Sequence, residues 1–410
     1  MNIKYHINKD VRSVLVLTTS YPLFEGIAVG IHVHEKCRHL VASGLKVRVI
    51  APHHAGAKHR EIIDGVEVRR FCYFFPKNFQ KVAYGAGIPT NLRRSLLSRL
   101  QLPLFLIAFF FATVKNVIHF DLIHCHWSLA GLIAVFVKQL FSKPVVFMMH
   151  GAEVFVLGNH PLLRFILKRI DYLISNSSFT ERKSLDIYPV KNHSIISPGV
   201  NISRFYPQSR IPKLRSSLNI NNNDFFILSI GKFIPRKGFE YLIKSLNILI
   251  NQRNEGNIKL KIGGRGPLKT EYERLINLYD LEHYVGFLDY IPDEDIPSYF
   301  TEADVFVLPS IIDERGDTEG LGVVFLEANA CGTPVIGTSV GGIVDAIDHE
   351  VNGLQVEPKN AEALANAIHL MKTDPDLRNL LGEKGLERVH KYFNWEAISK
   401  EILHVYNKLL

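Results

Sequence analysis

The chain predicts an α/β protein built from two doubly wound, Rossmann-like domains, and three observations carry that expectation. Short apolar, β-rich runs alternate with helical patterns through the first half. The alternation restarts after a turn-rich segment, SPGVNISRFYPQ (197–208). At 410 residues the chain is too long for one simple core and suits two domains. Continuous apolar strands joined through helices are the pattern of parallel sheets covered on both faces.

In chain order, the first half predicts strands at 14–19, 47–52, 121–126, 144–150 and 171–177. Between the first two, IHVHEKCRHLVASG repeats apolar residues at helical spacing and stops at Gly44. The second half predicts strands at 225–232, 258–264, 284–290, 304–310 and 333–339, separated by helical segments such as 238–252. NWEAISKEILHVYNKLL closes the chain as one more helix. The expected division is an N-terminal domain at 1–200, a C-terminal domain at 201–385, and a C-terminal helix at 386–410 that returns toward the N-terminal domain. In doubly wound sheets ligands sit beyond the C-terminal ends of the strands, so residues that follow strands are the ones to search.

Composition narrows the class. With 47% hydrophobic and 21% charged residues the chain reads as globular rather than disordered. Four cysteines without paired spacing favour a reducing compartment and no structural zinc, and nothing at the start resembles a secretory signal. One strongly apolar uncharged stretch, residues 100–114, has 15 residues. A spanning helix needs about 20, so a buried or interfacial helix is expected. Charge is uneven. Residues 1–200 carry 25 Lys and Arg against 11 Asp and Glu (+14), and residues 201–410 carry 23 against 29 (−6). The basic half is expected to face something anionic. It has no basic-aromatic RNA-recognition signature, so nucleic acid is not an expected partner.

Three segments carry candidate chemistry. SIGKFIPRKGFEYL places Lys232 after a strand, with Arg236 and Lys237 at the mouth of the next helix, where cations and free N–H groups favour phosphate. It is not a P-loop, because G-x4-G-K-[ST] is absent. GGRGPL (263–268), containing Gly264, makes a second strand-to-helix turn, without the G-x-G-x-x-G order of a nicotinamide site. DTEGLGVVFLEA (317–328) brackets a glycine turn with Glu319 and Glu327. A carboxylate accepts two hydrogen bonds and so holds vicinal hydroxyls. Two of them around a helix N-terminus match a nucleotide sugar, which is ribose, diphosphate and sugar in that order.

Other patterns are read as structural. Strand alternation sends Cys125 to the face opposite His124 and His126, against a metal cluster. His32 and His34 fall on different faces of a helix. Asp293, Glu294 and Asp295 follow Pro292 and read as an N-terminal cap with acids matched to the helix dipole.

Taken together, SIGKFIPRKG, GRGP and DTEGLGVVFLEANACGTPVIGTSVGG resemble the C-terminal domain of retaining glycosyltransferases of family 4 (glycosyl transferases group 1). TTSYP, GIHVHEKCRHLVASGLKVRVIAP, DLIHCHW, HGAE and SPGVNISRF extend the likeness to the N-terminal half. The resemblance implies a GT-B fold, with the two Rossmann-like domains facing each other across a cleft. It implies that Lys232 and Lys237 hold the donor diphosphate, that Glu327 accepts the ribose hydroxyls, and that Glu319 holds hydroxyls of the transferred sugar. Backbone amides around Leu321, Gly322 and Val323 support phosphates and sugar, Gly264 lines the donor site, His150 of HGAE stands beside the anomeric carbon, and Gly30 lies near the diphosphate. Two positions depart from the pattern. Lys232 stands where the family usually has Arg, keeping charge but losing a bidentate grip. Gly26 and Gly30 are separated where paired glycines are common.

The implied activity is metal-independent, retaining transfer of a hexose from a nucleotide diphosphate sugar to an acceptor hydroxyl, with no cofactor, in cell-surface polysaccharide or glycolipid biosynthesis. The implied partners are the donor and a lipid-linked or saccharide acceptor. The implied place is the cytoplasm, with peripheral contact to anionic membrane through the basic half; LRRSLLSRLQLPLFLIAFFF (92–111) sets Arg93, Arg94 and Arg99 before an apolar run. The alternatives are another enzyme on the same fold, such as a nucleotide-sugar epimerase or phosphorylase, and a non-catalytic sugar-nucleotide-binding module.

Overall fold

The computed structural model describes residues 11–23, 30–85, 87–151, 153–154, 160–209 and 212–410. Gly26 lies outside them. The chain forms two compact units, one comprising Met1–Gly199 with Trp395–Leu410, the other Val200–Asn394. The division expected at 385/386 does not appear, because helix Pro375–Arg388 runs across it and continues through Val389–Phe393 into the second unit's core.

The first unit is an eight-stranded sheet in the order β3-β4-β2-β1-β5-β6-β7-β8. Its strands are β1 (Ser13–Leu17), β2 (Lys46–Pro52), β3 (Arg60–Ile63), β4 (Val66–Phe71), β5 (Leu122–His126), β6 (Val145–Met149), β7 (Tyr172–Ser175) and β8 (His193–Ile195). All pairings are parallel except β3 with β4. Strands β3, β4 and β8 are additions to the sequence reading. REII at the sheet edge and VEVRRF next to it interleave charge with apolar residues and so lack the continuous apolar run of a central strand. Helices α1 (Ile31–Ala42), α2 (Ile88–Arg94), α3 (Leu96–Val117) and α4 (Ser128–Phe141) follow the strands. One face of the sheet packs with α3 and α4 around Phe105, Phe109, Ile133 and Phe147. The other packs with α1 and the C-terminal helix Trp395–Asn407 around Val33, Leu40, Trp395, Ile402 and Tyr406.

Helix α3 corrects the expectation of a short apolar element. It spans 22 residues, begins with Ser95 capping the Ser98 N–H, and carries Pro103 inside it. By length and composition alone it is long and apolar enough to cross a membrane. Phe105, Phe109, Thr113 and Val117 are nonetheless buried against the sheet, while Leu96, Leu100, Leu104, Ile107 and Phe111 are exposed.

The second unit is a six-stranded, all-parallel sheet in the order β11-β10-β9-β12-β13-β14. Its strands are β9 (Phe225–Ile230), β10 (Ile258–Gly263), β11 (Val285–Asp289), β12 (Val305–Leu308), β13 (Val335–Thr338) and β14 (Gly353–Val356). Strand β14, GLQV, is too short and too polar to read as a strand in isolation. Helices α5 (Phe239–Asn247), α6 (Lys269–Leu278) and α7 (Val323–Ala330) pack on this sheet. The predicted 238–252 helix changes to a wider, π-type turn at Ile248–Gln252. From β9 the chain order runs one way through β10 and β11, and from β12 the other way. The point of reversal, where such folds bind ligands, therefore lies between β9 and β12. In the first unit it lies between β1 and β5.

Candidate functional site

At the reversal point of the second unit, the loops that follow β9, β10 and β12 are stitched together by backbone. Ile311 N–H donates to the Arg236 carbonyl at 2.8 Å, and Phe233 N–H to the Arg265 carbonyl at 3.0 Å. Gly264 makes the closest approach. It has φ 140°, and a Cβ there would stand 1.9 Å from the Gly231 carbonyl oxygen. No side chain fits where these two turns touch.

The β9 loop then makes a single turn, Pro235–Lys237, that swings Lys237 inward. Lys237 is buried, and its Nζ lies 2.6 Å from Glu319 Oε1. The Arg236 guanidinium meets the same oxygen and reaches Asp317 at 3.4 Å. Glu319 is thus buried between two cations rather than exposed before a helix. Burial alone would raise its pKa, but the charges of Lys237 and Arg236 outweigh that and hold it below the usual carboxylate value. Burial lowers the Lys237 pKa, with Glu319 opposing. Lys232 is exposed and makes no ion pair among the described residues.

Glu319 also anchors the turn into α7. Its carbonyl accepts from Gly342 N–H at 2.9 Å, and Gly322 is the N-cap of α7 at φ 82°. Leu321, Gly322 and Val323 therefore stand at a helix N-terminus whose first-turn N–H groups have no partner within the helix. Glu327 lies one turn further along α7, half-buried. Desolvation pushes its pKa up to about 7, with Arg204 pulling the other way and Asp293 adding to the rise. Asp293 belongs to the acidic run expected to cap the next helix. Asp295 does occupy the N-cap position of Ile296–Glu302, but its side chain makes no capping hydrogen bond and no acid lies in the first turn. The cap reading is corrected accordingly. Beside Glu319, the hydroxyl of Thr318 is buried without a partner, a site feature that no spacing rule singled out.

In the first unit, His150 follows β6 and His126 ends β5, in the neighbouring strand. His126 Nδ1 lies 2.9 Å from His150 Nε2. The His124 and His126 rings stack at 4.6 Å, and Tyr406 from the C-terminal helix bonds His124 Nδ1. Trp127, at φ 73°, stacks on His150 at 4.4 Å. The His150 N–H donates to Glu153 at 3.1 Å, and Asn176 donates to the His150 carbonyl at 3.1 Å. Burial, then the charge of Lys36, holds the pKa of all three histidines well below the usual value. They are neutral near pH 7.

His126 Nε2 is buried without a partner. A bare acceptor there costs less than an orphaned N–H. The favoured tautomer therefore has His126 donating from Nδ1 to His150 Nε2, which leaves the His150 proton on Nδ1. Cys125 points into the opposite core, so the histidine pair does not share a ligand set with it. His34 bridges Tyr21 and Asp64, while His32 is exposed. Gly30, at φ 77°, caps α1, and a Cβ on it would stand 2.7 Å from the Ser20 carbonyl oxygen. The residues that sequence reasoning missed here are His126 and Trp127, which meet His150 through tertiary contacts, and Glu153, which accepts the His150 backbone N–H from three residues along the chain.

One group among the described residues has metal-ligand chemistry: His53, His59 and Cys72. Its nitrogens are already engaged. His53 meets Ala57 O and Gln80, and His59 Nε2 lies 2.8 Å from the Lys77 amine while its Nδ1 faces Cys72 at 3.9 Å.

Comparison with known proteins agrees with this geometry. Residues 210–388 match the model of glycosyl transferases group 1, and residues 29–204 that of glycosyltransferase family 4. An uncharacterized glycosyltransferase of Methanocaldococcus jannaschii is 28% identical over 307 residues, 72% of this chain and 76% of the relative. A GDP-mannose-dependent monoacylated alpha-(1-6)-phosphatidylinositol monomannoside mannosyltransferase of Corynebacterium glutamicum is 30% identical over 284 residues, 67% of this chain and 73% of the relative. Sucrose-phosphate synthase from Thermosynechococcus elongatus superposes with a TM-score of 0.76 at 26% identity, covering 97% of this chain and 99% of that one. Two Rossmann-like units, a cationic turn locked to an acid at the reversal point, and both family matches give one result: the chain belongs to the GT-B glycosyltransferases of group 1 and family 4, which move a sugar from a nucleotide-sugar donor.

Proposed function

We propose that the protein is a retaining, metal-independent hexosyltransferase whose acceptor is a membrane glycolipid or lipid-linked saccharide in cell-surface glycan synthesis, working on the cytoplasmic side of the membrane. The observation that carries the donor half is the convergence of Arg236, Lys237 and Glu319 with the N-terminus of α7 at the reversal point. As the bond to the anomeric carbon breaks, charge builds on the departing β-phosphate. Lys232, Lys237 and the amides at Leu321, Gly322 and Val323 stabilise it, in the role a metal plays elsewhere. Glu327 takes the ribose hydroxyls and Glu319 the sugar hydroxyls. His150, held as a neutral ring donating from Nδ1, is assigned the reacting sugar. Attack from the same face as the leaving group, with the phosphate taking the acceptor proton, gives retention.

GDP-mannose is the donor to test first. The Corynebacterium relative is named for it, and the loop at 311–318 resembles the longer loop of mannosyltransferases. That relative's name also supports a lipid acceptor. Calorimetric titration of GDP-mannose, UDP-glucose, UDP-N-acetylglucosamine and their nucleotides, in the presence of a chelator, tests the donor. One nucleotide family should bind clearly better than the rest, and more weakly to Glu327→Ala. Absence of binding by all of them would sink the reading. Proton NMR of the product's anomeric centre decides retention.

A further inference from the structure

The first unit holds a cavity that the proposed chemistry leaves unused. It has a volume of about 410 Å³ and is lined chiefly by Tyr84, Ile88, Leu92, Trp127, Leu129 and Leu162, within the usual size of ligand sites. Thr19 and Trp127, which follow β1 and β5, place it at the C-terminal end of the sheet. A sugar ring exposes hydroxyls on all sides and is held by a dense set of donors and acceptors. These walls do not supply such a set.

One polar group is informative. Glu153 lines the cavity and is buried, with Oε2 accepting from His150 N–H and Oε1 without a partner. A buried carboxyl oxygen left unpaired is costly, and a ligand hydroxyl would satisfy it. The Trp127 wall stacks directly on the His150 ring. The polar end of the cavity therefore adjoins the candidate catalytic histidine.

Helix α2 supplies Ile88 and Leu92 to the lining and joins α3 at Ser95. On α3, Leu96, Leu100, Leu104, Ile107 and Phe111 recur at spacings of four, four, three and four and form one exposed stripe. Exposed Arg93, Arg94 and Arg99 stand at its start. Apolar stripe and basic collar together complement an anionic bilayer surface. That complementarity names the occupant.

We propose that this cavity seats the aliphatic chain of a membrane lipid acceptor, with Glu153 accepting a hydrogen bond from a head-group hydroxyl beside His150. The proposal rests on the glycosyltransferase reading and specifies its acceptor.

Trp127 and Trp395 are the only two tryptophans, and Trp395 packs in the opposite core, so Trp127 emission reports the cavity. The full-length protein is titrated with ω-bromodecanol and ω-bromobutanol, whose bromine quenches a contacting indole. The longer chain is expected to quench saturably and on the order of a thousandfold more tightly, because its six added methylenes leave water. Leu129→Arg and Leu162→Arg should each abolish that quenching, with folding checked by thermal unfolding. Glu153→Ala should weaken it severalfold. The α3 pair Leu100→Ser and Leu104→Ser should leave it intact. Equal quenching by both chains overturns the proposal, as does quenching that survives in both arginine variants. Trp127→Phe, which keeps the cavity wall apolar, should remove the quenched signal; its persistence in that variant also overturns the proposal. Nucleotide titration of the same sample separates the two readings. Nucleotide binding without chain-dependent quenching sinks the cavity proposal alone, whereas quenching without nucleotide binding overturns the donor reading and with it the cavity's role as an acceptor site.

Discussion

Burial holds the Glu327 carboxyl up to about 7, yet ribose hydroxyls are accepted best by a carboxylate. Nucleotide affinity is therefore expected to rise between about pH 6 and pH 8 as Glu327 loses its proton, by up to about tenfold per unit below its pKa. Calorimetry across that range checks this, and Glu327→Gln should flatten the profile. Stability runs the other way. A carboxyl whose folded pKa is raised keeps a proton that the unfolded chain has lost. Its contribution is thus full below the ordinary carboxylate range and lost as pH rises through about 7. Glu319 behaves differently because its charge is matched by Lys237 and Arg236. Glu319→Gln would leave Lys237 buried without its anion, at an expected cost of about 3–5 kcal/mol in urea unfolding. The double variant Glu319→Met with Lys237→Met should recover most of that loss.

Among the elements, the turns after β9 and β10 show how far backbone contact limits the residue type. Gly264→Ala would drive a Cβ into the Gly231 carbonyl from a conformation that side chains avoid. It should cost more than about 2 kcal/mol and lower the melting temperature measurably. The Gly-rich character of GGRGPL and the basic turn after β9 were both legible in the sequence, whereas their pairing emerged only from the sheet order. Helix α3 was half legible. Its apolar run was plain, but a continuous run cannot say which residues face the core, and a low-contrast pattern hid both its length and its exposed stripe. If the stripe and collar meet a bilayer, Leu100→Ser with Leu104→Ser should weaken flotation with anionic vesicles. Arg93→Gln and Arg94→Gln should each cost about 1 kcal/mol near the surface. Loss of binding in high salt is expected, and no binding at low salt would end the idea.

At the scale of the whole molecule, the chain leaves the first unit once and comes back to it. Trp395, Ile398, Ile402, Val405 and Tyr406 bury themselves on the α1 face of the first sheet. Five such side chains are worth roughly 8–15 kcal/mol in burial, about the entire stability of a domain. Removing Trp395–Leu410 is expected to leave the first unit unable to unfold cooperatively, as calorimetric melting would show. Residues 200–394 have a separate core and hold every candidate donor residue except those of the first unit. Expressed alone, that segment should bind nucleotide with the affinity of the full chain.

Sequence alone determined the two doubly wound units, the strand-end loops worth searching, and the acids and cations with the chemistry for a nucleotide sugar. Those properties are local: strand periodicity, turn chemistry and functional-group identity are written within a few residues of each other. Tertiary structure alone decided that Glu319 is paired with Lys237 and Arg236, that desolvation pushes the Glu327 carboxyl up to about 7, and that His126 and Trp127 meet His150. It also decided that the last helix completes the first sheet. Each of those joins residues distant along the chain or sets a pKa by desolvation, and neither the pairing of remote groups nor the exclusion of water exists until the sheets have formed.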